Sequence, residues 1–168
     1  MNSYLIDLDT LKKRSFVNSN VENSVLNRVL EVVQDVMLLP ILGTSFFNRL
    51  IKGVKDNDLT IDEAKLLNDY IAPYLISAVE LEAVYPILIE IRAKTVGKSG
   101  DQYITPLSQS DSIAYQDKLR SYEQSYRTKL IGHLKDNQTT FPTYDEYECS
   151  RENIQPDCGV TRTNIRFA

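Results

Sequence analysis

The sequence predicts an all-α fold, a small helical bundle with a kinked long central helix and an extended C-terminal arm. Three observations lead there. Valines recur at helical spacing from Val21 to Val36. Thr60-Ile61-Asp62-Glu63 has the form of a capping box, in which the Thr hydroxyl and the Glu carboxylate each satisfy an orphan N–H at a helix start. The stretch from Tyr74 to Thr95 is apolar almost all round, as a helix buried on every side must be.

Taken in order, Tyr4-Leu5-Ile6 is a short extended piece, and Asp9 or Thr10 caps a brief helix through Leu11 to about Arg14. Asn18-Ser19-Asn20 is a polar turn. The next helix, about Val21 to Leu38, carries Val21, Val25, Val29, Val32, Val33 and Val36, widened by Leu26, Leu30 and Met37. Valine forms helices weakly, so this one depends on burial. Pro40 lacks an N–H and clashes with the preceding turn, which predicts a stop just before it. Gly43 supplies the reversal, and Thr44 or Ser45 caps a helix to about Val54 that carries Phe46, Phe47, Leu50 and Ile51. The helix opened by Thr60 presents Ala64, Leu67 and Ile71, with a break or kink expected at Pro73.

The central helix, Tyr74 to Thr95, should bend at Pro86, with Leu88 in the core. Val96 to Leu107 reads as a long exposed loop or loose hairpin. Ser108 or Ser110 caps a final helix to about Asp136. Its expected core stripe is Tyr115, Leu119, Tyr122, Tyr126, Leu130 and His133 or Leu134, with Asp117, Arg120, Glu123, Arg127 and Lys129 off it. After Asn137 the period vanishes. The domain is therefore drawn as residues 1–137 and the arm as 138–168. The arm's end, Val160 to Phe167, alternates with Thr161, Thr163, Ile165 and Phe167 on one side, a pattern suited to strand addition on a partner. Tyr144, Tyr147, Val160, Ile165 and Phe167 are its candidate interaction residues.

At 168 residues, 42% hydrophobic and 25% charged, the chain has the composition of one soluble globular domain. A formal net charge of −4 argues against a wide nucleic-acid grip. Ten tyrosines and no tryptophan stand out, since tyrosine is favoured where surfaces bury against partners. The most apolar run, Ile71 to Ile91, is interrupted by Pro73, Pro86, Glu80, Glu82 and Glu90, so no membrane span is expected. The N-terminus lacks the layout of a signal peptide.

Chemistry is sparse. His133, the one histidine, has no nucleophile motif beside it and reads as structural. Glu80 and Glu82 point to different helix faces and read as solvated charges or intersubunit ion pairs, not metal ligands. Gly97-Lys98-Ser99-Gly100 lacks the upstream glycine of a phosphate loop and follows a helix instead of a strand. Cys149 and Cys158 fit no zinc spacing and read as free thiols, the alternative being a disulfide that closes the short loop between them. Lys12-Lys13-Arg14 complements a helix C-terminus, and Arg92, Lys94 and Lys98 form a second small basic cluster. No catalytic, cofactor or metal residue is assigned, and no enzyme is expected.

From Leu5 to Tyr144 the chain resembles the head–tail connector (adaptor ring) proteins of tailed phages, particularly the crAss-like type. The resemblance lies in the opening Leu5-Ile6-Asp7-Leu8-Asp9-Thr10-Leu11-Lys12-Lys13, the corner Gln34-Asp35 to Leu39-Pro40-Ile41-Leu42-Gly43-Thr44, and the segment beginning Tyr70-Ile71-Ala72-Pro73-Tyr74-Leu75. It continues through the Tyr-rich last helix into Phe141-Pro142-Thr143-Tyr144. It implies a virion protein assembled in the host cytoplasm, a ring of copies of itself, commonly twelve-fold, set below the portal in the phage neck. Its partners would be the portal protein, other neck or tail rings, and duplex DNA passing through the channel without specific binding. The alternative is a small helical DNA-binding regulator, for which no basic recognition helix is found.

Overall fold

The computed structural model describes residues 4–17, 21–96 and 109–144, and side chains within these except at 85–96 and 109–112. Every regular element among them is helical: α1 (Leu8–Arg14), α2 (Asn23–Val32), α3 (Leu39–Leu42), α4 (Thr44–Asp56), α5 (Ile61–Leu66), α6 (Ala72–Val96) and α7 (Gln109–Asp136). Two π-helical turns, Val33–Leu38 and Leu67–Ile71, join α2 to α3 and α5 to α6.

Those turns correct the reading of the prolines. The chain does not stop before Pro40 or break at Pro73; it runs on helically through both. An α turn would drive each ring against the carbonyl four residues back. Here the ladder widens just ahead of each proline. The Leu39 N–H donates to the Gln34 carbonyl and the Ala72 N–H to the Leu67 carbonyl, both five residues back. The wider turn relieves the clash, and a helix that should have ended is carried past it. Farther on, α6 remains helical through Pro86. Leu88 lies outside the residues whose side chains are described.

Caps fix the other boundaries. Asp7, not Asp9 or Thr10, caps α1, its carboxylate accepting the Thr10 N–H. Hydrogen bonds from the Thr10 N–H and the Thr10 hydroxyl hold the Asp7 carboxyl below its usual range. Gly43 (φ 74°, ψ 157°) both ends α3 and starts α4, taking the place expected of Thr44 or Ser45. A side chain would be strained at that φ, and glycine is not. The capping box forms as expected: Glu63 N–H donates to Thr60 Oγ1 at 3.1 Å, and Thr60 N–H to Glu63 Oε2 at 2.8 Å. Glu63 also receives a two-pronged grip from Arg49, Nε to Oε1 at 3.0 Å and Nη2 to Oε2 at 2.9 Å. This clasp ties α4 to α5 across the turn that Asn57 makes in the left-handed region.

The core is built around α6, which packs against α7, α2 and both π turns. Leu75, Ala78, Val79 and Ala83 are fully buried there, meeting Leu26, Leu30, Val33 and Leu38 from the α2 side and Leu130 and Leu134 from α7. Gln34, buried in the first π turn, accepts the Leu5 N–H at 2.8 Å and so anchors the N-terminal segment. The core extends beyond residue 137. Phe141 and Tyr144 are 2% and 4% exposed and stack around Phe46 at 5.5 and 6.0 Å between centroids. The described bundle therefore includes seven residues assigned from sequence to the arm, because two aromatic anchors outside any helical period suffice to hold a turn in place.

Candidate interaction surface

Residue by residue, α7 departs from its expected stripe. Leu119, Glu123, Leu130, Ile131 and Leu134 are buried, whereas Tyr115, Tyr122 and Tyr126 are 45%, 42% and 38% exposed. Glu123 faces inward because the Tyr74 hydroxyl, on α6, donates a hydrogen bond to it. Burial pushes the Glu123 carboxyl up, as does Glu82, while that hydrogen bond and Arg127 pull it down. Burial likewise raises Tyr74 well beyond a free phenol.

Two of the displaced tyrosines, Tyr122 and Tyr126, line a groove of about 250 Å³. Arg14 and Phe16, at and just past the end of α1, line it too, with Pro73, Ile76, Ser77 and Glu80 of α6. Phe16 is 82% exposed, the most exposed large apolar side chain among the described residues. Its position is fixed through its backbone, whose N–H donates to Glu80 Oε1 at 2.6 Å. Glu80 is thus not a solvated charge: it is buried, its carboxyl raised by desolvation and partly relieved by that hydrogen bond. Lys118 and Lys129 sit over the Tyr122 and Tyr126 rings, 5.9 and 5.4 Å from the centroids, so these aromatics carry a cationic rim.

A second cleft of about 440 Å³ lies between the first π turn, α6 and α7, lined by Met37, Leu81, Glu82, Arg120 and Glu123. Each residue of α7 turns about 100° from the last. Tyr122 and Tyr126 therefore stand on one side of its buried line, and Arg120 and Gln124 on the other. The groove and the cleft occupy opposite flanks of the α6–α7 pair.

The residues singled out from sequence fall elsewhere. Tyr144 is in the core and offers no free docking surface; Tyr147, Val160, Ile165 and Phe167 lie outside the described residues, as do Gly97 to Gly100 and both cysteines. His133 stacks on Tyr70 at 3.9 Å with 15° between ring planes, a packing role. Among the described residues no group of three His, Cys, Asp or Glu side chains is placed to hold a metal ion. No described helix is long and apolar enough to cross a membrane. Phe16 escaped the sequence reading because it sits in a turn and belongs to no periodic stripe.

No curated protein and no solved structure matches the chain. The profile of DUF6712, a family of unknown function, matches residues 38–154, from the first π turn past the last described core aromatic. That span covers more than half of the chain, which therefore belongs to the DUF6712 family.

Proposed function

We propose that the protein is a structural virion component, a subunit of an oligomeric ring in the neck of a tailed phage. The ring would lie between portal and tail and continue the DNA channel. The observation that carries this reading is the groove formed by Phe16, Tyr122 and Tyr126. It is an exposed aromatic surface beside the buried core of the described residues. Isolated monomers gain nothing from such a surface, whereas aromatic and Arg side chains are those that anchor protein interfaces. The resemblance from Leu5 to Tyr144 to connector proteins supplies the specific setting. The role needs no cofactor and no catalysis. A mildly acidic subunit suits a channel through which DNA slides, because phosphate affinity grows with every cationic contact.

Electron microscopy of the purified protein mixed with its portal tests the proposal. The expected result is ring density seated on the portal and coaxial with its channel. Absence of association, together with salt-dependent binding of the free subunit to duplex DNA, would instead favour a small helical regulator.

A further inference from the structure

The two flanks of the α6–α7 pair differ in kind. One holds the aromatic groove, with Arg14, Lys118 and Lys129 at its edge. On the other, next to Met37 in the second cleft, α2 and the first π turn raise an exposed ridge: Val32 is 37% and Val36 66% exposed. Glu31 and the exposed Asp35 accompany these valines, and Arg28 on the same ridge pairs with Glu31 at 3.3 Å. We propose that ridge and groove are the two halves of one interface, the Val32–Val36 ridge of one copy seating in the Phe16–Tyr122–Tyr126 groove of the next.

Complementarity argues for this occupant. Branched aliphatic side chains meet exposed aromatic rings, and carboxylates meet a cationic rim. With Glu31 partly committed to Arg28, Asp35 is the carboxylate left to meet Lys118 or Lys129. The arrangement is heterologous, since the two surfaces are different patches of the same chain. Each added copy presents a fresh ridge and a fresh groove, and a constant rotation between copies closes into a ring or runs on as a filament. The assignment deepens the ring reading and rests on its premise of self-assembly, but it requires no portal.

The test uses two full-length variants at exposed positions, Phe16→Glu, which blocks the groove, and Val36→Glu, which blocks the ridge. Circular dichroism melts verify that both keep the wild-type fold. Sedimentation velocity should show the wild type assembling with rising concentration and each variant alone remaining monomeric. An equimolar mixture of the two should give dimers and stop there, because one intact ridge and one intact groove make one junction. Should either variant lose its fold, Lys129→Glu and Asp35→Lys replace them, each weakening assembly when alone and recovering it when combined in one chain. A wild type that stays monomeric, variants that assemble normally, or a mixture without dimers would overturn the proposal. Portal binding that depends on Phe16 in a protein that never self-associates would assign the groove to the portal and likewise overturn it, leaving the neck reading intact.

Discussion

Replacing Tyr74 by Phe removes one oxygen from one of the most enclosed aromatic side chains among the described residues and changes almost nothing in volume. Tyr74 is 1% exposed and its hydroxyl donates to Glu123, which is 6% exposed. The variant opens no cavity; it leaves a buried carboxylate short of a donor. Losing a hydrogen bond to a charged group costs about 1.5–3 kcal/mol. In a domain of this size that lowers the melting temperature by roughly 3–12 °C. The pH dependence follows from the influences on Glu123. Burial is the largest and raises its folded pKa, so the native state holds a proton that the unfolded chain has released. Stability therefore falls as pH rises from the ordinary glutamate value through the raised folded one. The Tyr74 hydroxyl pulls that folded value down. Its removal lifts it further, which steepens the fall and extends it to higher pH. The penalty of Tyr74→Phe should consequently be greatest at neutral pH and shrink in mild acid. Urea denaturation of wild type, Tyr74→Phe, Glu123→Gln and the double variant at both pH values measures this directly. In the Glu123→Gln background, Tyr74→Phe should cost less and lose its pH dependence. Equal penalties at both pH values, with or without the carboxylate, would refute the reasoning.

Phe141→Ala should destabilise the bundle by about 3–5 kcal/mol, the usual cost of truncating a buried aromatic, because Phe46, His133 and Tyr144 all lose a neighbour. A change within experimental error in chemical denaturation would place the end of the folded domain back at Asn137. Gly132→Ala should raise stability by about 0.5–1 kcal/mol, since a methyl group there meets no atom within 4 Å and the helix interior gains from the lost backbone freedom. A thermal melt that moves downward would mean that this stretch of α7 is more crowded than described.

The long periodic elements were legible in the sequence for a simple reason: their signals are local. The Thr60–Glu63 box and the extents of α6 and α7 depend on residues within a few positions of one another, and they appear as expected. Pro40 misled because the stop rule assumes α geometry on both sides, and the π turn ahead of it removes that premise, as a second π turn removes the outright break at Pro73. On α7 two apolar stripes overlap in sequence. Periodicity cannot tell Leu119 and Leu130, which are buried, from Tyr122 and Tyr126, which are exposed. The partners that decide the matter are far away: Tyr74 draws Glu123 inward across 49 positions, and Glu80 fixes Phe16 across 64. The groove was invisible for the same reason, being assembled from a turn, a helix and a stripe read as core. Phe141 and Tyr144 belong to no period at all, so only packing reveals them.

The stack of His133 on Tyr70 gives this molecule a private spectroscopic reporter. The chain holds one histidine, so its imidazole carbon-bound protons are unambiguous in a proton NMR spectrum. Held 3.9 Å above a phenol ring, they lie in its shielding cone. The imidazole sits on α7 and the phenol in the second π turn, two elements far apart in the chain. Their resonance position therefore reads whether the seam between those elements is shut, without a label and without a mutation. It can be followed through denaturant or through assembly, in a protein whose ten tyrosines would otherwise blur any optical signal.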